Sequence, residues 1–175
     1  MADPQKLAQK ALDLVWDRHI PVNPTQIAHK LVVKTKAANG VIRDCSIVVL
    51  EVAGTEIGGA STEVSFEESP ECPIYLCKYN RDEIIYRNRF AIAHEIGHIV
   101  LGHIRTGEPP VRRFQYTDDT QYMRQANAFA AALLMPERFL RSVYGSIRSV
   151  QQMGEAFGVS NAAAIYRLKK LRLIS

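Results

Sequence analysis

The chain has 175 residues, of which 47% are hydrophobic and 23% are charged, enough for one hydrophobic core with a small appended subdomain. A net charge of +4 and an isoelectric point near 9.0 make the protein mildly basic, so nucleic-acid binding is compatible with the charge but not required by it. No stretch approaches the roughly 20 apolar residues of a membrane span, and the N-terminus lacks the apolar run of a signal peptide. We therefore expect a cytoplasmic protein with no membrane partner.

The cysteine content supports the same location. Cys45, Cys72 and Cys77 are the three cysteines of the sequence. An odd count without the regular spacing of a disulfide framework predicts reduced thiols. Cys72 and Cys77 have no second cysteine pair to complete a zinc knuckle, so such a site is not expected.

Two helices are predicted at the N-terminus. The first covers residues 3–18, because Asp3 and Pro4 form a typical helix start and an apolar stripe follows. The second begins after Asn23, again with proline at the first helical position, and continues to about Leu31. Both segments are short, so we expect them to pack against the rest of the chain.

A small three-stranded sheet is predicted next. Its strands are expected at residues 41–52, which contain the run Ile47-Val48-Val49-Leu50, at 57–66, which end in an alternating pattern, and at 73–79. Gly54 and the stretch Glu67-Glu68-Ser69-Pro70 separate them. An exposed edge strand beside a catalytic site can hold an extended peptide by strand addition. The alternative is a sheet that only covers the following helix.

The pattern with the most chemical content is His94-Glu95-Ile96-Gly97-His98, an H-E-x-x-H motif. On a helix, His94 and His98 lie one turn apart on the same face, where both imidazoles can reach one metal ion. Glu95 lies beside that site and can take a proton from a metal-bound water and pass it to a leaving amine. Zinc suits this chemistry because it brings the pKa of a bound water near neutrality.

The motif helix is predicted over residues 87–103 and is apolar on nearly every side, which favours a buried helix. Ionisable groups on a buried helix need partners, and a metal ion would be one. The alternative is a pair of hydrogen-bonded core histidines with a surface glutamate. His103 lies about 140° round the helix from His98 by the 3.6-residue period, so we interpret it as a helix-end histidine and a poor third ligand.

A loop and two further helices follow. The loop, residues 106–117, contains Arg112, Arg113, Phe114 and Tyr116, which either lie over the cleft or are solvated. Residues 119–134 are predicted to form a helix with a broad apolar face. Pro136 opens a shorter helix.

The C-terminal part has the pattern of a helix-turn-helix. Helices are predicted at residues 146–157 and 161–173, joined by the turn Gly158-Val159-Ser160. The second helix carries four basic residues and no acidic one, which would suit contacts with DNA phosphates; they are Arg167, Lys169, Lys170 and Arg172. The favoured alternative is a solvated helix face on a hairpin that packs against the rest of the chain.

Taken together, these motifs resemble the ImmA/IrrE family of metallopeptidases. The resemblance rests on the segment Arg89-Phe90-Ala91-Ile92-Ala93-His94-Glu95-Ile96-Gly97-His98, on the later segment Gln125-Ala126-Asn127-Ala128-Phe129-Ala130 with Met135-Pro136, and on the closing helical pair. It implies a small gluzincin-like α+β zincin fold, a zinc cofactor, and cleavage of helix-turn-helix repressors. We assign residues 1–145 to the metallopeptidase domain and 146–175 to a helix-turn-helix-like subdomain packed on it.

One position departs from the family pattern. The resemblance implies that the helix bearing Ala126-Asn127 supplies a glutamate as third zinc ligand, but the corresponding position is Met123, or Gln125 by a second alignment. Methionine is an improbable ligand for catalytic zinc. Asp119, one turn before Met123, is a further candidate if the helix shifts. Three interpretations remain: a two-histidine site, a relocated third ligand, or a protein without metal and activity.

The leading hypothesis is a zinc-dependent endopeptidase in which His94 and His98 bind Zn²⁺ and Glu95 is the general base and acid. The substrate implied by the resemblance is a helix-turn-helix repressor or an antitoxin-like regulator. The alternative is a binding module with a peptidase fold that recognises a regulator protein or DNA without hydrolysis. Met123 motivates this alternative.

Overall fold

The computed structural model describes residues 2–36, 40–69, 73–104, 107–113, 120–147 and 149–175. Over these ranges the chain forms a mixed α+β fold of seven α-helices and one five-stranded sheet. The helices are α1 (Pro4–Val15), α2 (Pro24–Lys30), α3 (Ile85–Val100), α4 (Gln121–Leu134), α5 (Glu137–Tyr144), α6 (Val150–Phe157) and α7 (Asn161–Lys170). The strands are β1 (Val32–Lys36), β2 (Ile42–Val52), β3 (Thr62–Glu67), β4 (Ile74–Asn80) and β5 (Val111–Arg113).

The two N-terminal helices begin where the sequence predicts. The side chains of Asp3 and Asn23 each accept hydrogen bonds from two backbone N–H groups of the first turn, and a proline occupies the first helical position of each helix. α1 ends at Val15, because Trp16 has extended backbone angles. The prediction of a helix to residue 18 is therefore wrong by one turn.

The sheet has the order β1-β2-β4-β3-β5, and all neighbours are antiparallel except β2 and β4. The three predicted strands correspond to β2, β3 and β4, but the prediction of a three-stranded sheet is wrong. Both additional strands lie at edges. In β1, exposed positions alternate with half-buried ones, and none of its residues is fully buried. β5 has only three residues, and these pair with β3.

The predicted strand at residues 57–66 is too long at its start. A 3-10 turn occupies Gly54–Ile57, and Gly58 and Gly59 have φ angles of +64° and +80°. These left-handed conformations cannot continue a strand. The strand therefore starts at Thr62, which places that residue next to the motif helix.

The motif helix α3 is the centre of the core, as its sequence predicts. Every residue of 91–99 is buried. The helix starts at Ile85, two residues before the predicted start at residue 87, and ends at Val100 instead of residue 103, so His103 lies beyond it. A Cβ atom on Gly97 would lie 3.1 Å from the side chain of Phe129, so glycine allows the close approach of α3 and α4.

The C-terminal pair α6 and α7 shares this core. Phe157 and Leu168 belong to the same buried apolar cluster as Phe129 of α4. Arg167 is only 3% exposed, and its guanidinium donates to the backbone oxygen of Met135 at 3.2 Å and to Gln5 at 2.6 Å. Arg167 is therefore not on a solvated helix face, the favoured interpretation of this helix, and its guanidinium is engaged inside the protein rather than available to a phosphate.

Two further sequence predictions concern thiols and membranes. Cys45 and Cys77 are free and buried, whereas Cys72 lies outside the described residues. None of the helices in the described ranges combines the length and the apolar character that crossing a membrane requires.

Candidate active site

α3 brings the three motif residues together at its buried middle. His94 and Glu95 are 0% exposed and His98 is 2% exposed. The helical spacing of four residues places the two imidazoles one above the other. Their Nε2 atoms lie 2.9 Å apart, a hydrogen-bond distance somewhat shorter than the roughly 3.3 Å between two nitrogens of one tetrahedral zinc site.

The other ring nitrogen of His94 is held by α4. Nδ1 lies 2.8 Å from Oδ1 of Asn127, an oxygen that only accepts, so Nδ1 carries the proton and Nε2 presents its lone pair. Burial, followed by the positive charge of Arg113, lowers the pKa of His94 to about 3. The ring is therefore neutral at cellular pH, the state that binds metals.

The other ring nitrogen of His98 faces His103. The two Nδ1 atoms lie 3.1 Å apart, and Nε2 of His103 lies 3.1 Å from Oε1 of Gln125. Burial, again followed by the charge of Arg113, lowers the pKa of His98 to about 2. His103 thus contacts the outer nitrogen of His98 rather than Nε2, whereas the helical period had placed it away from His98.

Glu95 is held by two donors from the sheet. Thr62 Oγ1 donates to Oε1 at 2.7 Å, and Arg113 Nη1 donates to Oε2 at 2.7 Å. Burial raises the pKa of this carboxyl group, and the opposing effects of Arg113 and Thr62 only reduce the shift. The carboxylate is thus satisfied on both oxygens and screened from solvent.

The third-ligand candidates are distributed as follows. Met123 is buried on α4, and the Gln125 side chain accepts from His103. Asp119 lies outside the described residues. Within the described ranges, no group of three or more His, Cys, Asp and Glu side chains is arranged to hold a metal ion. The described residues therefore offer two ligands, His94 and His98.

Within the predicted loop 106–117, residues 111–113 form strand β5 instead, and Arg113 reaches the site through Glu95. Its neighbour Arg112 points away and pairs with Glu63, while Phe114 and Tyr116 lie outside the described residues. Sequence reasoning gave no role to Thr62 or Asn127. Both residues are far from the motif in the sequence, and only the packing of β3 and α4 against α3 brings them into contact with it.

A groove of about 490 Å³ lies next to the site, between α3, α4 and α7. Phe90, Asn127, Tyr166 and Lys170 are among the residues that line it. Asn127 both lines this groove and contacts His94.

An H-E-x-x-H helix whose histidines are held by a neighbouring helix has the organisation of a metallopeptidase-type site. Residues 77–169, more than half of the sequence, match the family described as the IrrE N-terminal-like domain, Peptidase_M78, and the chain belongs to this family of metallopeptidases. Metallopeptidase ImmA of Bacillus subtilis (strain 168) is 27% identical over 149 residues, which cover 83% of this chain and 85% of that protein. The resemblance inferred from the motifs is confirmed.

Proposed function

We propose that the protein is a zinc-dependent endopeptidase that cleaves a helix-turn-helix repressor or an antitoxin-like regulatory protein. The observation that carries the proposal is the convergence of the Nε2 atoms of His94 and His98, 2.9 Å apart, on a helix whose Glu95 is buried as well. Membership of the metallopeptidase family supports the reaction class. The substrate class follows only from the family resemblance.

The donor set fits a metal ion in part. His94 and His98 are neutral and each has its outer nitrogen held, which is the usual condition of histidine ligands. Zinc, when bound there, would lower the pKa of a water and polarise the scissile carbonyl. Structural and catalytic zinc sites use at least three protein ligands, so a ligand beyond the two histidines is required.

Glu95 is the residue that moves the proton. A carboxyl group whose pKa is raised by burial is a better match to neutral pH than an ordinary glutamate. Oε1 and Oε2 already accept from Thr62 and Arg113, so one of these donors must share its oxygen with the attacking water. Glu95 is fully buried, so a peptide needs a rearrangement around this residue to reach it.

The test is cleavage of the regulator encoded next to this protein. Zinc-loaded wild type is incubated with the regulator, beside Glu95→Gln and a matched control, Glu68→Gln, at an exposed glutamate. We expect one defined cut by the wild type and the control, and a loss of at least about 100-fold in rate with Glu95→Gln. Cleavage at the wild-type rate by Glu95→Gln or by metal-stripped protein would contradict the proposal.

The second candidate is a non-catalytic binding module that recognises the regulator or DNA. Two observations favour it: Met123 stands at the ligand position, and Glu95 is engaged by Arg113. It predicts that Glu95→Gln binds the regulator and performs its cellular role like wild type. Elemental analysis separates the candidates early, because the peptidase requires about one zinc per chain that is lost with His94→Ala.

A further inference from the structure

We propose that His103 and Gln125 form a positioning arm that fixes the tautomer and orientation of His98 for metal binding. The inference rests on the proposed metal site and extends it to two residues outside the H-E-x-x-H motif. The arm is a chain of two contacts: His98 Nδ1 to His103 Nδ1, at 3.1 Å, and His103 Nε2 to Gln125 Oε1, at 3.1 Å.

The end of α3 builds the arm. The N–H of His103 donates to the backbone oxygen of His98 at 2.8 Å, and the N–H of Gly102 donates to that of Ile99 at 3.0 Å. These two bonds, with φ of +73° at Gly102, are those of a Schellman motif. The motif turns the chain back on the helix, so that the His103 ring meets His98 instead of continuing round the helix.

The direction of the hydrogen bonds follows from the far end of the arm. The oxygen of Gln125 can only accept, so Nε2 of His103 carries its proton. A neutral His103 then presents a lone pair at Nδ1, and the N–H in the contact must belong to Nδ1 of His98. This leaves Nε2 of His98 unprotonated, on the side that faces His94.

Asn127 has the same effect on His94 by one direct bond. Both rings then turn an unprotonated Nε2 toward the same point, 2.9 Å apart. At this distance two unprotonated nitrogens repel each other in the metal-free protein, and a cation bound between them would remove that repulsion. Holding both tautomers in advance therefore favours a bound metal, since neither ring has to reorganise when it binds.

Tyr122 and the helix that bears Gln125 support the arm. The ring of Tyr122 lies against that of His103, with 4.5 Å between centroids, and Gln125 follows one turn later on α4. His103 is thus confined on three sides: by the backbone of α3, by an aromatic ring and by an amide. A freely rotating surface histidine would have none of these contacts.

The first measurement is made on metal-free protein, so that it does not depend on activity or zinc. Long-range ¹H–¹⁵N correlation spectra of the histidine rings report which nitrogen carries the proton. We expect His98 in wild type as a single Nδ1–H tautomer, and a mixture containing Nε2–H in Gln125→Leu and in His103→Ala. Gln125→Glu should keep the wild-type tautomer, because a carboxylate also accepts from His103.

The second measurement is zinc affinity by competition with a chelator. Loss of an outer-shell partner lowers metal affinity by about 10- to 100-fold, and we expect this loss in Gln125→Leu and in His103→Ala. His19→Ala, at an exposed histidine, is the matched control and should bind like wild type. Circular dichroism melts confirm that each variant is folded.

The outcomes separate the two proposals. If wild type binds no zinc, the proposed function fails, while the tautomer of His98 still decides whether the arm exists. If wild type binds zinc and Gln125→Leu matches it in affinity and in the His98 tautomer, the arm is overturned and the peptidase proposal stands. An Nε2–H tautomer of His98 in wild type would overturn the arm directly.

Discussion

Nη1 of Arg113 lies 2.7 Å from Oε2 of Glu95, so an ion pair joins the short edge strand β5 to the motif helix α3. The Arg113 side chain is 10% exposed and that of Glu95 is fully buried. A pair in such surroundings is little screened by water. The ion pair therefore holds β5 against α3 and stabilises the ionised form of Glu95, the candidate general base.

Replacing Arg113 should destabilise the protein strongly, because it leaves a buried carboxylate without its cation. We expect Arg113→Met to reduce the free energy of unfolding by about 3 kcal/mol near neutral pH, measured by urea denaturation of metal-stripped protein. Glu95→Gln combined with Arg113→Met should recover part of that loss. Burial raises the pKa of Glu95 and Arg113 opposes this effect, so without Arg113 the pKa rises further and the loss should shrink at acidic pH, where the carboxyl group is protonated.

Arg112→Met is the matched control. Its side chain is half exposed and pairs with Glu63 in the same strand pair, so we expect a loss of about 1 kcal/mol or less. Equal losses for the two arginine variants would show that the buried Arg113–Glu95 pair contributes no more to stability than the half-exposed Arg112–Glu63 pair.

Gly102 should be needed for its backbone conformation rather than for space. Its φ is +73°, and no atom lies within 4 Å of a Cβ placed there. We expect Gly102→Ala to cost about 1 kcal/mol of stability from strain in the left-handed region. The control is Gly145→Ala, at φ of −71° and also in open space, which should be neutral or slightly stabilising. A neutral Gly102→Ala would argue against the Schellman motif.

The sequence predicted the motif helix and its burial because both depend on local patterns. His94, Glu95 and His98 are four residues or fewer apart, and the apolar periodicity of α3 needs no knowledge of its neighbours. Thr62 and Arg113 could not be found this way. Thr62 contacts a residue 33 positions later, and Arg113 lies in a strand of three residues that forms only by pairing with β3.

His103 illustrates a different limit. The helical period placed it away from His98, but the helix ends at Val100, and the chain reverses at Gly102. Gly102 was the local sign of this, since glycine after a helix is typical of a Schellman motif. The third ligand stays a prediction, because it depends on Asp119, outside the described residues, or on Met123 and Gln125, neither of which is a carboxylate.

The two described cysteines should be unreactive in the folded protein. Cys77 is fully buried, and burial, followed by the charge of Glu95, raises the pKa of its thiol well above 9.0. Cys45 is buried as well. In a Cys72→Ser background, we expect no reaction with a thiol-specific dye in native protein and full reaction of both thiols in denaturant.

Ser175→Cys in the same background is the positive control for that experiment, because Ser175 is exposed. It should add one thiol that reacts without denaturant. Fast labelling of the background protein itself would mean that the sheet and α3 open far more readily than their packing implies.

Glu63 should make the stability of the β4-β3-β5 region dependent on pH. It lies between Lys78 of β4 and Arg112 of β5 in the strand register and pairs with both. Burial tends to raise the pKa of this carboxyl group, but the hydrogen bonds and charges of Arg112 and Lys78 outweigh burial and hold it below 4.5. A carboxyl group whose pKa is lower in the folded state stabilises the protein at pH above its unfolded-state pKa, and this stabilisation is lost as the pH falls through its folded-state pKa.

Glu63→Gln should therefore be less stable than wild type by about 1 kcal/mol near neutral pH, and the difference should shrink below about pH 4. Urea denaturation of both proteins over this range measures it, with Glu68→Gln at an exposed site as control. A gap that stays constant on acidification would mean that the charge of Glu63 is not what joins these strands.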